Sequence, residues 1–245
     1  MQEFLKSAAG DATAALSHAQ IGDAKMPLSE SSLENAGSKT KRDEAGVGRD
    51  QILQTAARLR LVLGSGAHAV AVTGIEAEDG VSMLAAQLAV AMAETGDETV
   101  LLVDGNAAAP RVHEMFQVSK SPGLRDVLEN RTDLETAVQS RQPGNLFVLP
   151  IGESDHTLAS LLASDSSAQI FKQMRERFRY VLFDAGLIRK SPDGMLLASR
   201  SDGVVGALAA GRRRQEEVVS FQEELKRLNL NLLGVVLTKT TARKA

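Results

Sequence analysis

Two aspartates and one glycine-bearing turn are the residues in this chain whose types and spacing could do chemistry. The turn is "TGIEAEDGVSML", residues 73–84, which follows the apolar run "HAVAV" and precedes an alanine-rich segment. Asp104 closes the apolar run "TVLLVD", and Asp184 closes "YVLFD". A glycine-bearing turn between a strand and a helix can present backbone N–H groups and a helix N-terminus to a phosphate. Acidic residues ending neighbouring strands can hold a divalent cation beside it. Each feature alone has an ordinary explanation, because aspartate at a strand end commonly bonds the backbone of the following turn. Three together, in one sheet, point to a phosphate-loop architecture.

Such a site needs a particular scaffold. Six short apolar runs beginning at residue 68 ("HAVAVTG", "TVLLVDG", "NLFVLPIG", "RYVLFDAG", "DGVVGALAAG", "NLLGVVLTK") alternate with helical segments. The helices are expected over 82–95, 110–117, 122–129, 133–140, 157–178, 191–200 and 212–228. Uninterrupted apolar strands separated by helices predict a mostly parallel, doubly wound α/β sheet covered on both faces. Ligands then bind beyond the carboxyl ends of the strands, where the turn, Asp104 and Asp184 all fall. A further helix over 49–64 has Ile52, Leu53, Ala56, Leu59, Val62 and Leu63 at helical spacing and stops at glycine. Residues 1–48, rich in Ser, Ala, Gly and mixed charge, read as a disordered tail, and 49–245 as the folded domain.

Composition narrows the function. A chain of 245 residues carrying a net charge of −3 has no general attraction to nucleic acid. It has no cysteine, hence no disulfide or thiolate metal site, and its four histidines show no metal-ligand spacing. No apolar run approaches the length of a membrane span. A cytoplasmic protein is the expectation.

The same residues carry a family resemblance. Over about 50–240 the chain resembles the cytoplasmic domain of bacterial tyrosine autokinases of polysaccharide export, a branch of the ParA/MinD-like P-loop proteins. In that family the loop reads approximately V-T-S-A-x-P-G-E-G-K-S-T, and "VTGIEAEDGVSM", 72–83, matches it without a gap. "LLVDGNAAAP" resembles the second acidic motif, L-L-I-D-x-D-x-R-x-P, and "YVLFDAGLI" the Walker B strand. "SPGLRDVLEN", "NLFVLPIG" and "LLGVVLTK" echo further segments. The resemblance implies Gly74, Gly80, Val81 and Ser82 as the nucleotide-binding loop. Ser82, Asp104 and Asp184 would be its Mg²⁺ ligands, if magnesium is retained.

The departures weigh against that chemistry. Val81 stands where the family has lysine, and no lysine occurs between Lys41 and Lys120. Glu76, Glu78 and Asp79 crowd the loop. Each carboxylate ~8 Å from a phosphate charge costs about 2 kcal/mol at an effective dielectric of ~20. Asn106 replaces the second acid, Ala108 the arginine, and "AGL" the prolines after Asp184. Of the ring-assembly pattern Glu-x-x-Arg-x-x-Arg, only Arg60 survives, with Gln54 and Ala57 at the other positions. A homo-oligomer built that way has therefore lost most of its motif. The single tyrosine, Tyr180, begins an apolar strand, so it reads as a packing residue and not as a phosphoacceptor.

The leading expectation is a catalytically degenerate, pseudokinase-like component of a capsule, exopolysaccharide or holdfast system. It would be recruited to the inner face of the membrane by a co-polymerase partner, with ATP and Mg²⁺ bound weakly or not at all. In this reading Glu78 and Asp79 cap the following helix in place of a phosphate. Two alternatives stay open. One is a divergent Mg²⁺-dependent ATP-binding kinase or ATPase using Ser82, Asp104 and Asp184. The other is a MinD/ParA-like positioning or regulatory protein.

Overall fold

A computed structural model describes residues 39–238. The chain enters on helix α1 (Lys39–Leu63) and continues through β1 (His68–Gly74) and α2 (Val81–Glu94) to β2 (Val100–Asp104). Three short helices follow: α3 (Val112–Phe116), α4 (Leu124–Leu128) and α5 (Leu134–Ala137). Next come β3 (Gln139–Arg141), β4 (Leu146–Leu149), α6 (Leu158–Leu162), α7 (Asp165–Arg177) and β5 (Tyr180–Asp184). The chain closes through α8 (Pro192–Ser199), β6 (Gly203–Ala209), α9 (Gln215–Arg227) and β7 (Leu232–Thr238).

Among the described residues, seven strands form one sheet in the order β3-β4-β2-β5-β1-β6-β7. All pairings are parallel except β3 with β4, which is antiparallel. The expected doubly wound sheet is therefore the fold, with one added edge strand. Alternation along β1 divides the core. Val70 and Val72 face a layer built with Ile52 and Leu59 of α1 and Leu84, Leu88 and Met92 of α2. Ala69 and Ala71 face the opposite layer, with Phe171 and Met174 of α7, Leu197 of α8, and Phe221 and Leu225 of α9. Strands β1, β2 and β5 are buried almost throughout, which is why they read as unbroken apolar runs.

Three boundaries differ from the sequence expectation. α1 begins at Lys39, ten residues before the expected start at 49, so the segment assigned to a tail contributes its last residues to a helix. Residues 1–38 lie outside the described residues. The helix expected over 157–178 is two helices: Ala163 ends α6, and Ser167 Oγ donates to both Leu162 O and Ser164 O at the junction. Hydroxyls bonding backbone carbonyls in this way compete with helix continuation. The helix expected over 133–140 ends at Ala137, and Gln139–Arg141 becomes the antiparallel edge. There Gln139 bridges Ser119, donating to its carbonyl and accepting from its N–H.

Candidate functional site

The sheet order places β1 between β5 and β6, while the chain leaves β1 for β2 on the far side of β5. The connections thus diverge around β1 and β5, and the loops after β1, β2 and β5 meet at one edge. Register brings the two aspartates together: Asp104 pairs with Asp184, and Asp184 with Val72 of β1. Gly105 N donates to Asp184 O and Ala185 N to Val72 O, closing the three strand ends against one another.

Both aspartates are fully buried. Asp104 accepts from Asn106 N at 3.2 Å and from Val112 N at 3.1 Å. Burial, and then the neighbouring charge of Asp184, push its carboxyl up to about 7. Burial pushes Asp184 up to about 6, while the Ser82 hydroxyl and the Gly186 N–H pull it back down. Asp184 Oδ2 is buried without a hydrogen-bond partner. Ser82, Asp104 and Asp184 thus lie at the same sheet edge. Among the described residues, no group of three or more His, Cys, Asp or Glu is gathered to hold a metal ion.

The loop itself is compact. β1 ends at Gly74, where a Cβ would lie 2.8 Å from Val81 Cγ2 and 3.1 Å from both Ala207 O and Asp79 Cβ. Only glycine permits that approach. A single 3-10 turn, Ala77–Asp79, follows, and Gly80 reverses the chain at φ +75° to start α2. Val81 is buried in the core layer with Leu84 and Val72.

Glu78 and Asp79 do not cap α2, contrary to expectation. Gly80 is the cap residue and has no side chain to offer, and its left-handed turn directs the preceding carboxylates away from the helix. Asp79 instead folds back. Its Oδ2 accepts from Ile75 N at 3.0 Å and Glu76 N at 2.8 Å; its Oδ1 accepts from Ala209 N at 3.0 Å and Arg213 Nε at 2.9 Å. Thr238 at the end of β7 donates its hydroxyl to Asp79 O at 2.7 Å. Glu76 pairs with Lys190 and Glu78 with Arg212, both at the surface.

Lys190, Arg212, Arg213 and Thr238 were missed by local reading. The loop has no cation nearby in sequence, so its three carboxylates looked uncompensated. The fold brings cations from the loops after β5 and β6, both at the same sheet edge. "GRRR" directly after a strand was the available signal, since every parallel strand ends on that side. Thr73 helps seat the β5–α8 loop, donating to Gly186 O at 2.7 Å and accepting from Ile188 N at 3.2 Å.

Of the assembly pattern, Arg60 is turned inward. It bonds Glu98 at 2.5 Å and Met92 O, and it lies 5.0 Å over the Tyr180 ring. Gln54 and Ala57 are exposed on the same helix. Tyr180 is buried in the core, as expected for a packing residue.

Sheet order, strand-end aspartates and strand–turn–helix loop together define a P-loop protein of the ParA/MinD-like class. Residues 67–211 match the family described as "Cellulose biosynthesis protein BcsQ", and the chain belongs to that family. It is also similar to the tyrosine-protein kinase YwqD of Bacillus subtilis, 31% identical over 159 residues, covering 65% of this chain and 67% of that one. The succinoglycan biosynthesis transport protein ExoP of Rhizobium meliloti is 27% identical over 184 residues; the match covers 74% of this chain but 23% of ExoP. Among solved structures, the kinase domain of the Escherichia coli tyrosine kinase ETK superposes with a TM-score of 0.79 at 18% identity, covering 92% of this chain and 91% of that one. MinD of Pyrococcus horikoshii, complexed with Mg-ADP, gives 0.57 at 23% identity, covering 70% of each chain. These two likenesses show the shared fold.

Proposed function

We propose that this chain is a non-catalytic, pseudokinase-like component of a bacterial polysaccharide biosynthesis or export system, and that it acts by binding a membrane co-polymerase. The single observation that carries this reading is the state of the loop. An apolar, buried Val81 stands at the lysine position, and the buried Asp79 carboxylate already takes the N–H groups of Ile75 and Glu76. A triphosphate requires the opposite: free backbone donors and a cation within the loop. Among the described residues, Lys190, Arg212 and Arg213 each pair with a loop carboxylate. The loop residues therefore suit a triphosphate poorly, and no reaction step is assigned to them. The pathway rests on the family and on relatives named for polysaccharide biosynthesis. The system's polymer would be a capsule, an exopolysaccharide or a holdfast. Among the described residues no helix is long and apolar enough to cross a membrane.

One observation favours a second reading. Ser82, Asp104 and Asp184 lie together, as a divergent Mg²⁺-dependent nucleotide-binding enzyme would require. Calorimetry separates the two. The non-catalytic reading expects no heat with ATP or ADP at millimolar concentration, with or without Mg²⁺. Saturable, Mg²⁺-dependent binding that weakens in Asp104→Ala would replace it. Affinity capture from the native host should recover a membrane component of a polysaccharide system; its absence would remove the partner.

A further inference from the structure

We infer that Asp79 is a built-in anionic ligand: its carboxylate fills a four-donor anion site inside the fold and fastens the loop shut against the end of β6. Four N–H donors converge on one fully buried carboxylate, two from the loop's first residues, one from Ala209 closing β6, and one from Arg213 beyond it. A buried carboxylate is tolerated only when so satisfied, because an unpaired one carries a heavy desolvation cost. The site is a joint between distant segments, since Asp79 and Arg213 are 134 residues apart; Thr238, 159 residues away, adds a separate bond to the Asp79 backbone carbonyl. Glu76–Lys190 and Glu78–Arg212 extend the same closure outward, but they are exposed and contribute little. Asp79 is therefore the fastening. The loop is held closed by covalent possession of its own anion, where a phosphate loop waits for one from solution.

The inference deepens the non-catalytic reading and rests on it, yet the two can fail separately. Nucleotide titration of the wild type tests that reading; chemical rescue tests this one. Asp79→Ala deletes the volume of one formate ion and leaves its four donors in place. The melting temperature of this variant should fall by about 5–15 °C. Sodium formate should then restore much of the loss in a saturable way, while chloride at equal ionic strength does not. Wild type should show no difference between the two salts. Asp79→Asn, which keeps the volume and gives up the charge, should gain nothing from formate, because the space is filled. Amide exchange covers the case in which Asp79→Ala fails to fold: in wild type the Ile75, Glu76 and Ala209 amides should be strongly protected. Formate no better than chloride on a folded Asp79→Ala, or fast exchange of those amides in wild type, would overturn the inference.

Discussion

Asp104 and Asp184 sit side by side at strand ends, both out of water, and their carboxyl groups are raised to about 7 and about 6 from an ordinary value of 3.8. Raising a carboxyl in the folded state favours its neutral form. The stabilisation is then fully present below about pH 4 and is lost as pH climbs through each folded value, over roughly pH 4–7. The melting temperature, corrected for other groups by comparison with Asp104→Asn, should decline across that window in wild type. The variant should have the flatter profile whatever its absolute stability, since it has one acid fewer to ionise. An equal slope in both would remove Asp104 as the origin. Val81 gives a second residue-scale test. Val81→Lys restores the family's lysine but places an ammonium in the layer shared with Val72 and Leu84. It should lose about 2–4 kcal/mol in chemical denaturation and gain no nucleotide affinity by calorimetry.

At the scale of elements, α1 shows how one helix carries two unlike faces. Leu59 is fully buried against the sheet, whereas Leu61, two positions on, is 81% exposed. Leu59→Ala should cost about 2–5 kcal/mol by urea denaturation, and Leu61→Ala should stay within about 0.5 kcal/mol of wild type. This contrast was legible in the sequence, because Ile52, Ala56 and Leu59 recur at helical spacing. The strands were legible too, since β1, β2 and β5 are buried on both faces and leave no polar interruption. What escaped was decided by groups distant in sequence. β3 exists because Gln139–Arg141 finds β4 and Ser119, and three residues of "QSR" hold no strand pattern of their own. In the site, Gly74, Asp104 and Asp184 could be placed from strand ends, and Ser82 from the family resemblance of the loop. The role of Asp79 could not: its partners Ala209 and Arg213 lie more than a hundred residues away, and local reasoning could offer it only the nearest helix.

Across the whole molecule the two edges of the sheet do different work. The carboxyl edge gathers the loop, the acid pair and the basic arm after β6. The amino edge holds Arg60, Glu98, Arg179 and Tyr180, where Arg60 joins α1 to the end of α2 and to the strand start beneath. Arg60 thus serves the subunit's own cohesion. Arg60→Ala should lower stability by about 1–3 kcal/mol while leaving the sedimentation coefficient of the folded protein unchanged. A shift in assembly without loss of stability would return Arg60 to an intermolecular role.

The placement of Tyr180 has a practical consequence. The chain has one tyrosine and no tryptophan, so its emission in the tyrosine band has a single source. That source has two guanidinium groups against it, 5.0 and 5.4 Å from the ring centroid. It opens the strand that Asp184 closes, about 13 Å away along β5. The molecule thus carries a native optical gauge at one end of the strand whose other end bears the buried acid, and the surroundings of that end can be watched without attaching a dye.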